Sequence, residues 1–134
     1  MAFQFSTAVR NASLDAIEST IGTTSVTLEI RSGAAPASCA AADTGTVLAT
    51  ITLPADWMNA ASAGSKTLLG TWQDTSADAT GTAGHFRLKQ ATTCHIQGSI
   101  TATGGGGDMT LDNTSIATGQ QVTITAFTIT AGGA

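Results

Sequence analysis

The feature that most constrains this chain is the alternation of apolar residues with threonine, seen best from Val122 to Thr130. Successive side chains of a β-strand point to opposite faces, so this alternation predicts a strand with one buried face and one hydroxyl-bearing face. Charged residues make up 10% of the sequence, against about a quarter in ordinary soluble proteins. A catalytic cleft normally gathers such charged groups, so the pattern favours packing of sheets over chemistry.

One segment instead has the spacing of a helix. Apolar residues recur with a period near 3.6 between residues 7 and 21. Ser6 precedes the segment and is a favoured N-cap, because its hydroxyl accepts a hydrogen bond from an orphan N–H of the first turn. Gly22 follows it and tolerates the left-handed conformation that ends many helices. The pattern predicts an N-terminal helix over about residues 6–22.

After Gly22 the period of the apolar residues changes to two. The predicted strands span residues 25–31, 46–53, 66–72, 84–90, 93–103, 109–111 and 121–130. Turn residues separate them at the spacing typical of antiparallel sandwiches and barrels. A chain of 134 residues has the common size of one domain. We therefore expect a mainly β fold in which residues 1–134 form a single domain: an antiparallel β-sandwich or barrel of about seven strands, preceded by one N-terminal α-helix.

The charge balance argues against two classes of partner. The net charge is −4, and the five basic residues are scattered along the chain. Nucleic-acid binding needs a basic patch that releases counterions from phosphates, and a membrane anchor needs a polybasic or long apolar segment. Residues 1–6 also lack the basic and apolar regions of a signal peptide. We expect no nucleic-acid partner, no membrane partner, and folding in a cytosol.

Cys39 and Cys94 lie far apart in the sequence. A reducing cytosol keeps such residues as free thiols, which is the expectation here; a disulfide between them is the alternative and needs an oxidising environment. With His85 and His95 they offer four possible zinc ligands, but their spacing matches no zinc-finger pattern. Cys94 and His95 are neighbours that would point to opposite faces of a strand. We predict no catalytic, cofactor-binding or metal-binding residue, and we do not expect an enzyme.

The alternation also assigns side chains to faces. Cys94 is expected to pack inward with Ile96. The residues expected on the solvent side of the same two strands are His85, Arg87, Lys89, His95 and Gln97. A solvated strand face is the ordinary role of a pair such as Arg87 and Lys89. The functional alternative is that the pair contacts an acidic neighbouring subunit.

Two kinds of loop invite a ligand-binding interpretation. The glycine run from Gly104 to Gly107 lacks the following Lys-Ser/Thr of a phosphate-binding loop, so it predicts a hairpin tip or a flexible contact loop. Asp74, Asp78 and Asp108 lie among small residues, without the terminal Glu and the glycine of a calcium-binding EF-hand loop. Aspartate commonly closes turns through its own side chain, and this is the role predicted for all three.

Two longer segments carry a family resemblance. The first is FQFSTAVRNASLDAIE at residues 3–18, and the second is GTWQDTSADATGTAGHFR at residues 70–87. Both resemble a family of small proteins encoded among the structural genes of tailed bacteriophages and prophages, and the similarity extends over nearly the whole chain. The resemblance implies a virion component and supplies no catalytic residues. Its motif residues here look architectural: an aromatic anchor at Trp72, a turn, and the start of a strand.

The expected function is therefore that of a structural component of a tailed-phage virion, assembled in the host bacterial cytoplasm. We expect a capsid decoration or cement protein that stabilises the head through contacts between subunits. Its partners would be the major capsid protein or tail subunits, together with further copies of itself, a trimer being the symmetry we favour. One alternative is a tail tube, collar or tip subunit. Another is a host-surface or glycan-binding β-sandwich, for which Trp57 and Trp72 are the available stacking residues, although both fit a core better.

The residues expected at an interface between subunits come from three segments. They are Phe3, Phe5, Arg87, Lys89, Gly104, Gly105, Gly106 and Gly107. The two phenylalanines alternate just before the helix and predict a short strand or an arm that packs on a neighbour.

Overall fold

The computed structural model describes residues 3–134. Within them, the helix α1 (Thr7–Ile21) is followed by ten strands. The strands are β1 (Val26–Ser32), β2 (Val47–Thr52), β3 (Ser65–Thr67), β4 (Trp72–Asp74), β5 (Gly81–Gln90), β6 (Thr93–Ala102), β7 (Met109–Leu111), β8 (Ser115–Ile116), β9 (Val122–Ile124) and β10 (Thr128–Thr130). The predicted class, mainly β with one N-terminal helix, is confirmed. No helix in the described part of the chain has the length and hydropathy needed to span a membrane.

Helix α1 begins and ends where the sequence predicts. The Ser6 hydroxyl accepts a hydrogen bond of 3.2 Å from the Val9 N–H, which satisfies one orphan donor of the first turn. At the other end, Gly22 has a φ of +94°, and its N–H donates to the Glu18 carbonyl. The helix buries Leu14 and Ile21 against the rest of the domain.

The largest sheet has the strand order β2-β1-β5-β6-β7, and β8 pairs with the start of β5. Its neighbours are antiparallel except β6 and β7. The long strands β5 and β6 form the hairpin that the sequence predicts. Leu28 lies opposite Leu88, and Ile30 lies opposite Phe86, so alternate residues of β1 and β5 point into one apolar core.

The final threonine-rich segment is two strands, not one. Within it, β9 pairs with β4 and β10 pairs with β3, so the prediction of a single strand over residues 121–130 is wrong. The predicted strand over residues 66–72 is divided in the same way between β3 and β4. The chain changes partners around Phe127, whose ring is buried against Phe86 and Trp72, with ring centroids 5.6 and 5.9 Å apart. The faces are nevertheless as predicted, since Thr123, Thr125, Thr128 and Thr130 are exposed.

Four aromatic rings run through the core in contact with one another. Trp57 and Trp72 are fully buried with centroids 6.2 Å apart, and Trp72 contacts Phe127, which contacts Phe86. The indole N–H of Trp57 donates to the Gly22 carbonyl, and that of Trp72 to the carbonyls of Trp57 and Leu69. Both polar groups of the tryptophans are therefore satisfied inside the core.

Candidate interaction surface

Exposed large apolar side chains of the described residues lie together at the N-terminal end. Phe3 is 79% exposed, Phe5 45% and Val9 46%. The rings of Phe3 and Phe5 stack edge to face with centroids 4.9 Å apart. The segment lies outside every helix and strand, so of the two predicted forms it takes that of an arm. Aromatic surface in water gains free energy when another surface covers it.

The base of this arm is held by the other end of the chain. The Phe5 N–H donates to the Gly133 carbonyl at 2.7 Å, and the Ala131 N–H donates to the Gly64 carbonyl at 3.0 Å. The Phe5 ring packs so closely on Gly133 that an added Cβ would lie 2.6 Å from a ring carbon. The aromatic pair is therefore presented from a fixed base beside Ser6 and the first turn of α1.

The glycine run has a different geometry from the one predicted. It joins β6 to β7, which are parallel, with Ile100 beside Met109, so the prediction of a hairpin tip is wrong. Folding the chain back within so few residues needs the positive φ angles of Gly104 and Gly106, +89° and +81°. Gly107 donates its N–H to the Thr101 hydroxyl at 3.0 Å. Gly104 to Gly106 are exposed, and their role as a contact loop stays a prediction.

A loop covers the polar face of the main sheet. We call residues 33–46 the strap, because side chains of the sheet hold its backbone at successive points. The sheet residues that contact strap carbonyls are His85 (to Gly33, 2.9 Å), Gln97 (to Pro36, 2.7 Å), Arg87 (to Cys39, 2.7 Å, and to Ala41, 3.1 Å) and Arg31 (to Thr44, 3.2 Å). Small residues make up most of the strap, so its backbone can approach the sheet closely.

An ion network lies between the strap and the sheet. Asp43 of the strap contacts Arg87 at 2.8 Å, Lys89 at 2.6 Å and Arg31 at 3.2 Å. Glu29 of β1 contacts Arg31 at 2.9 Å and Lys89 at 2.6 Å. The hydrogen bond from Lys89, together with the positive charges around it, holds the pKa of Asp43 below its usual range. The network joins β1, β5 and the strap, and each carboxylate bridges at least two cations.

This arrangement overturns the prediction of a solvated strand face. Arg87 is 1% exposed, Lys89 8% and His85 0%. The strap covers them, so neither Arg87 nor Lys89 presents its charge to a neighbouring subunit. His95 is exposed, as expected. Gln97 is half-buried because its amide reaches Pro36.

The two cysteines meet at the edge of the same face. The register between β5 and β6 shifts so that Cys94 lies opposite Lys89 while Ile96 lies opposite Leu88. This bulge puts Cys94 and Ile96 on different faces of the sheet, and the prediction that they share one is wrong. The Cys94 thiol donates to the Cys39 sulfur at 2.9 Å. Burial is the main cause that raises the pKa of Cys39 to about 11.

Sequence reasoning missed the residues that hold the strap. A signal was present: Glu29 and Arg31 alternate with apolar residues, and so do Arg87 and Lys89. These four charges come together on one face only if the two strands are neighbours in the sheet. The periodicity of a sequence does not reveal which strands are neighbours. Asp43 has no local signal, because its three partners lie on β1 and β5.

Of the three loop aspartates, Asp74 acts as a turn residue, as predicted. It accepts from the Ser76 N–H at 2.9 Å and from the Thr50 N–H at 3.0 Å. Asp78 and Asp108 do not close turns, so the prediction is wrong for these two. Asp78 accepts from the Thr50 hydroxyl of β2 at 2.8 Å, and Asp108 accepts from both the N–H and the hydroxyl of Ser99 of β6. Within residues 3–134 no three His, Cys, Asp or Glu side chains come together as a group that could hold a metal ion.

The buried positions of Trp57 and Trp72 decide what they can contact. Both side chains lie in the core, so neither can stack on a sugar at the surface. The exposed aromatic surface is that of Phe3 and Phe5. Comparison with protein-family models, with curated proteins and with solved structures found no match.

Proposed function

We propose that this protein is a structural component of a tailed-phage virion, a capsid decoration protein that stabilises the head through contacts between subunits. The observation that carries the proposal is the exposed arm. Phe3 and Phe5 place two stacked aromatic rings at the surface, on a base fixed by Gly133 and the cap of α1. A pair that stays exposed in the single chain is suited to burial against another subunit.

The distribution of charge supports the same role. Four of the five basic side chains, Arg31, Lys66, Arg87 and Lys89, are buried in internal contacts. The strands β9 and β10 instead present threonine hydroxyls to solvent. A hydroxyl costs less to remove from water than an unpaired charge does. Such a surface suits a subunit that docks repeatedly against copies of the same neighbours.

The resemblance of residues 3–18 and 70–87 to small phage virion proteins is the reason for proposing a virion as the place where the protein acts. In the structure, the first segment forms the arm and most of α1, and the second contains β4 and the first seven residues of β5. A contact stable enough to hold in a particle buries on the order of 1,000 Å². The two rings of the arm would form the centre of such a contact, with hydroxyl-bearing surface around them.

The test is to locate the chain in a map of the intact particle. Density for this fold on the outer surface of the head, with the arm against a neighbouring subunit, is the expected result. Density in the tail tube, collar or tip would replace the decoration role by a tail role. Failure to find the chain in purified particles, by imaging and by mass spectrometry, would reject a virion function altogether.

A further inference from the structure

The sulfur atoms of Cys39 and Cys94 lie 2.9 Å apart although the residues are 55 positions apart in the sequence. A disulfide bond is about 2.0 Å long, so small side-chain rotations bring the two atoms to bonding distance. Neither residue is fully buried. The cavity beside them, which residues 39–43 and 92–94 line together with Arg87, opens to solvent. A small reagent can therefore reach the pair.

Several contacts fix the two cysteines in this position. Arg87 donates to the Cys39 carbonyl at 2.7 Å and to the Ala41 carbonyl at 3.1 Å, and Asp43 ties the end of the strap to Arg87 and Lys89. Cys94 faces the strap because of the bulge in β6. The two thiols are therefore held near each other by the contacts of the surrounding residues, and not by an interaction between the two sulfur atoms.

We propose that Cys39 and Cys94 are a modification site, at which an intramolecular disulfide forms when the protein meets a small-molecule disulfide outside a reducing cytosol. The bond fastens the strap to β6 covalently. This inference rests on the geometry of the thiols and the strap, and it does not depend on the proposed function.

The reaction is two successive thiol–disulfide exchanges. The thiolate of one cysteine attacks a sulfur of the small disulfide RSSR, forming a mixed disulfide and releasing RS⁻. The other cysteine loses its proton and attacks the protein sulfur of that mixed disulfide, which releases the second RS⁻. The two protein thiols are oxidised by two electrons, RSSR is reduced to two thiols, and the two protons end on the released thiolates.

The surroundings favour the internal bond over separate modification. Because burial raises the pKa of Cys39 to about 11, this residue is a thiol at neutral pH and is protected from direct oxidation. Once Cys94 carries a mixed disulfide, Cys39 is the adjacent nucleophile. The second exchange is intramolecular, so its rate does not depend on the concentration of the reagent.

The experiment treats the purified, fully reduced protein with oxidised glutathione at neutral pH. The expected product has lost both free thiols, as counted after denaturation, and has lost the mass of two hydrogens. Tryptic digestion without reductant should link the peptide Ser32–Lys66 to the peptide Gln90–Ala134, each of which contains one cysteine. The thermal midpoint should rise on the order of 10 °C and return when reductant is added, because the bond closes a long loop.

The variants Cys39→Ser and Cys94→Ser are the matched controls. Each retains one thiol, so neither should form the linked peptide or show a midpoint that depends on reductant. Four results on the wild-type protein would each overturn the proposal. They are two glutathione adducts, a stable single adduct, a disulfide between two molecules, and two thiols that remain free. An internal disulfide that leaves the thermal midpoint unchanged would overturn the claim that the bond fastens the strap.

Discussion

Asp43 is the residue on which three buried cations depend. Its carboxylate contacts Arg31, Arg87 and Lys89, while its own side chain remains 39% exposed. A buried cation that loses its partner keeps the full cost of leaving water. The sequence places Asp43 in an alanine-rich loop with no hint of this role.

Replacing Asp43 by Asn should lower the free energy of unfolding by about 2 kcal/mol, because solvent screening at the exposed side of the carboxylate reduces the full penalty. Urea unfolding followed by tryptophan fluorescence measures the change. The matched control is Asp56→Asn, at an exposed position, where the effect should stay within about 0.5 kcal/mol. Equal effects of the two substitutions would show that the ion network does not hold the strap.

The same residue gives the protein a predictable dependence on acid. The hydrogen bond from Lys89 lowers the pKa of Asp43, and that from Lys66 lowers the pKa of Asp15. The unfolded chain therefore takes up these protons at a higher pH than the folded chain does. The stability that the two ionised carboxylates contribute is fully present above about pH 4. It is lost as the pH falls through the pKa values that the two groups have in the folded protein. We expect the thermal midpoint, measured from neutral pH downward, to decrease once the pH is below about 4. The decrease should be less steep in Asp43→Asn than in the wild type.

Gly84 shows how one missing side chain positions the strap. A Cβ at this position would overlap the carbonyl oxygen of Gly33, because the strap begins directly over β5. We expect Gly84→Ala to cost about 1–3 kcal/mol, the usual range for overpacking. Gly132→Ala is the control, since its Cβ would meet open space. A Gly84→Ala protein with unchanged stability would mean that the strap shifts freely.

At the scale of elements, α1 is held to the domain by carboxylates as well as by apolar contacts. Glu18 accepts from the N–H groups of Trp57 and Met58, at 3.0 and 2.8 Å. Asp15 accepts from the Ala61 N–H and from the buried Lys66 amine, at 2.9 and 2.8 Å. The acidic side chains of the helix therefore accept hydrogen bonds from backbone N–H groups of the loop between β2 and β3.

Glu18→Ala should leave the N–H groups of Trp57 and Met58 without an acceptor and should cost about 2 kcal/mol. Glu18→Gln retains an acceptor oxygen and should cost clearly less. Hydrogen exchange of the amides at positions 57 and 58 should accelerate in the alanine variant. If the glutamine and alanine variants lose equal stability, the charge near Lys66 matters more than the hydrogen bonds.

The elements also show where periodicity is a sufficient guide. Helix α1 and the β5–β6 hairpin lie where the sequence predicts them, because each is specified by contiguous residues, their caps and their turn. The segment from residue 121 to 130 is different. It alternates throughout, but the burial of Phe127 sends its two halves to different partner strands.

At the scale of the whole molecule, the sequence has few charged residues, and its basic side chains are mostly withdrawn from the surface. Four of the five basic residues are buried, and Arg10 is half-buried with a hydrogen bond to the Ala63 carbonyl. Among residues 3–134, the large apolar groups that stay outside are those of the arm and of Val9. The molecule therefore offers hydroxyls over its strands and aromatic rings at one place.

If the arm makes contacts between subunits, changing both Phe3 and Phe5 to Ser should reduce self-association without unfolding the protein. Light scattering at increasing concentration measures the association. The free energy of unfolding should change by less than about 1.5 kcal/mol, because Phe3 is 79% exposed and the Phe5 ring is only half-buried. Ala8→Ser, at an exposed position on α1, is the control. Association of the double variant equal to that of the wild type would exclude the arm as the contact between copies.

The sequence by itself determined the class of the fold, the helix with both its caps, the central hairpin, and the outward position of the threonines on the last two strands. Each of these is a local property, set by side-chain period and by residues within a few positions of one another. Only the tertiary structure decided that Arg87 and Lys89 are buried and that Cys39 lies against Cys94. Their partners are 44 to 55 positions away. Such contacts depend on which strands become neighbours and on where a loop without periodicity crosses them. The local pattern of apolar and polar residues predicts neither of these.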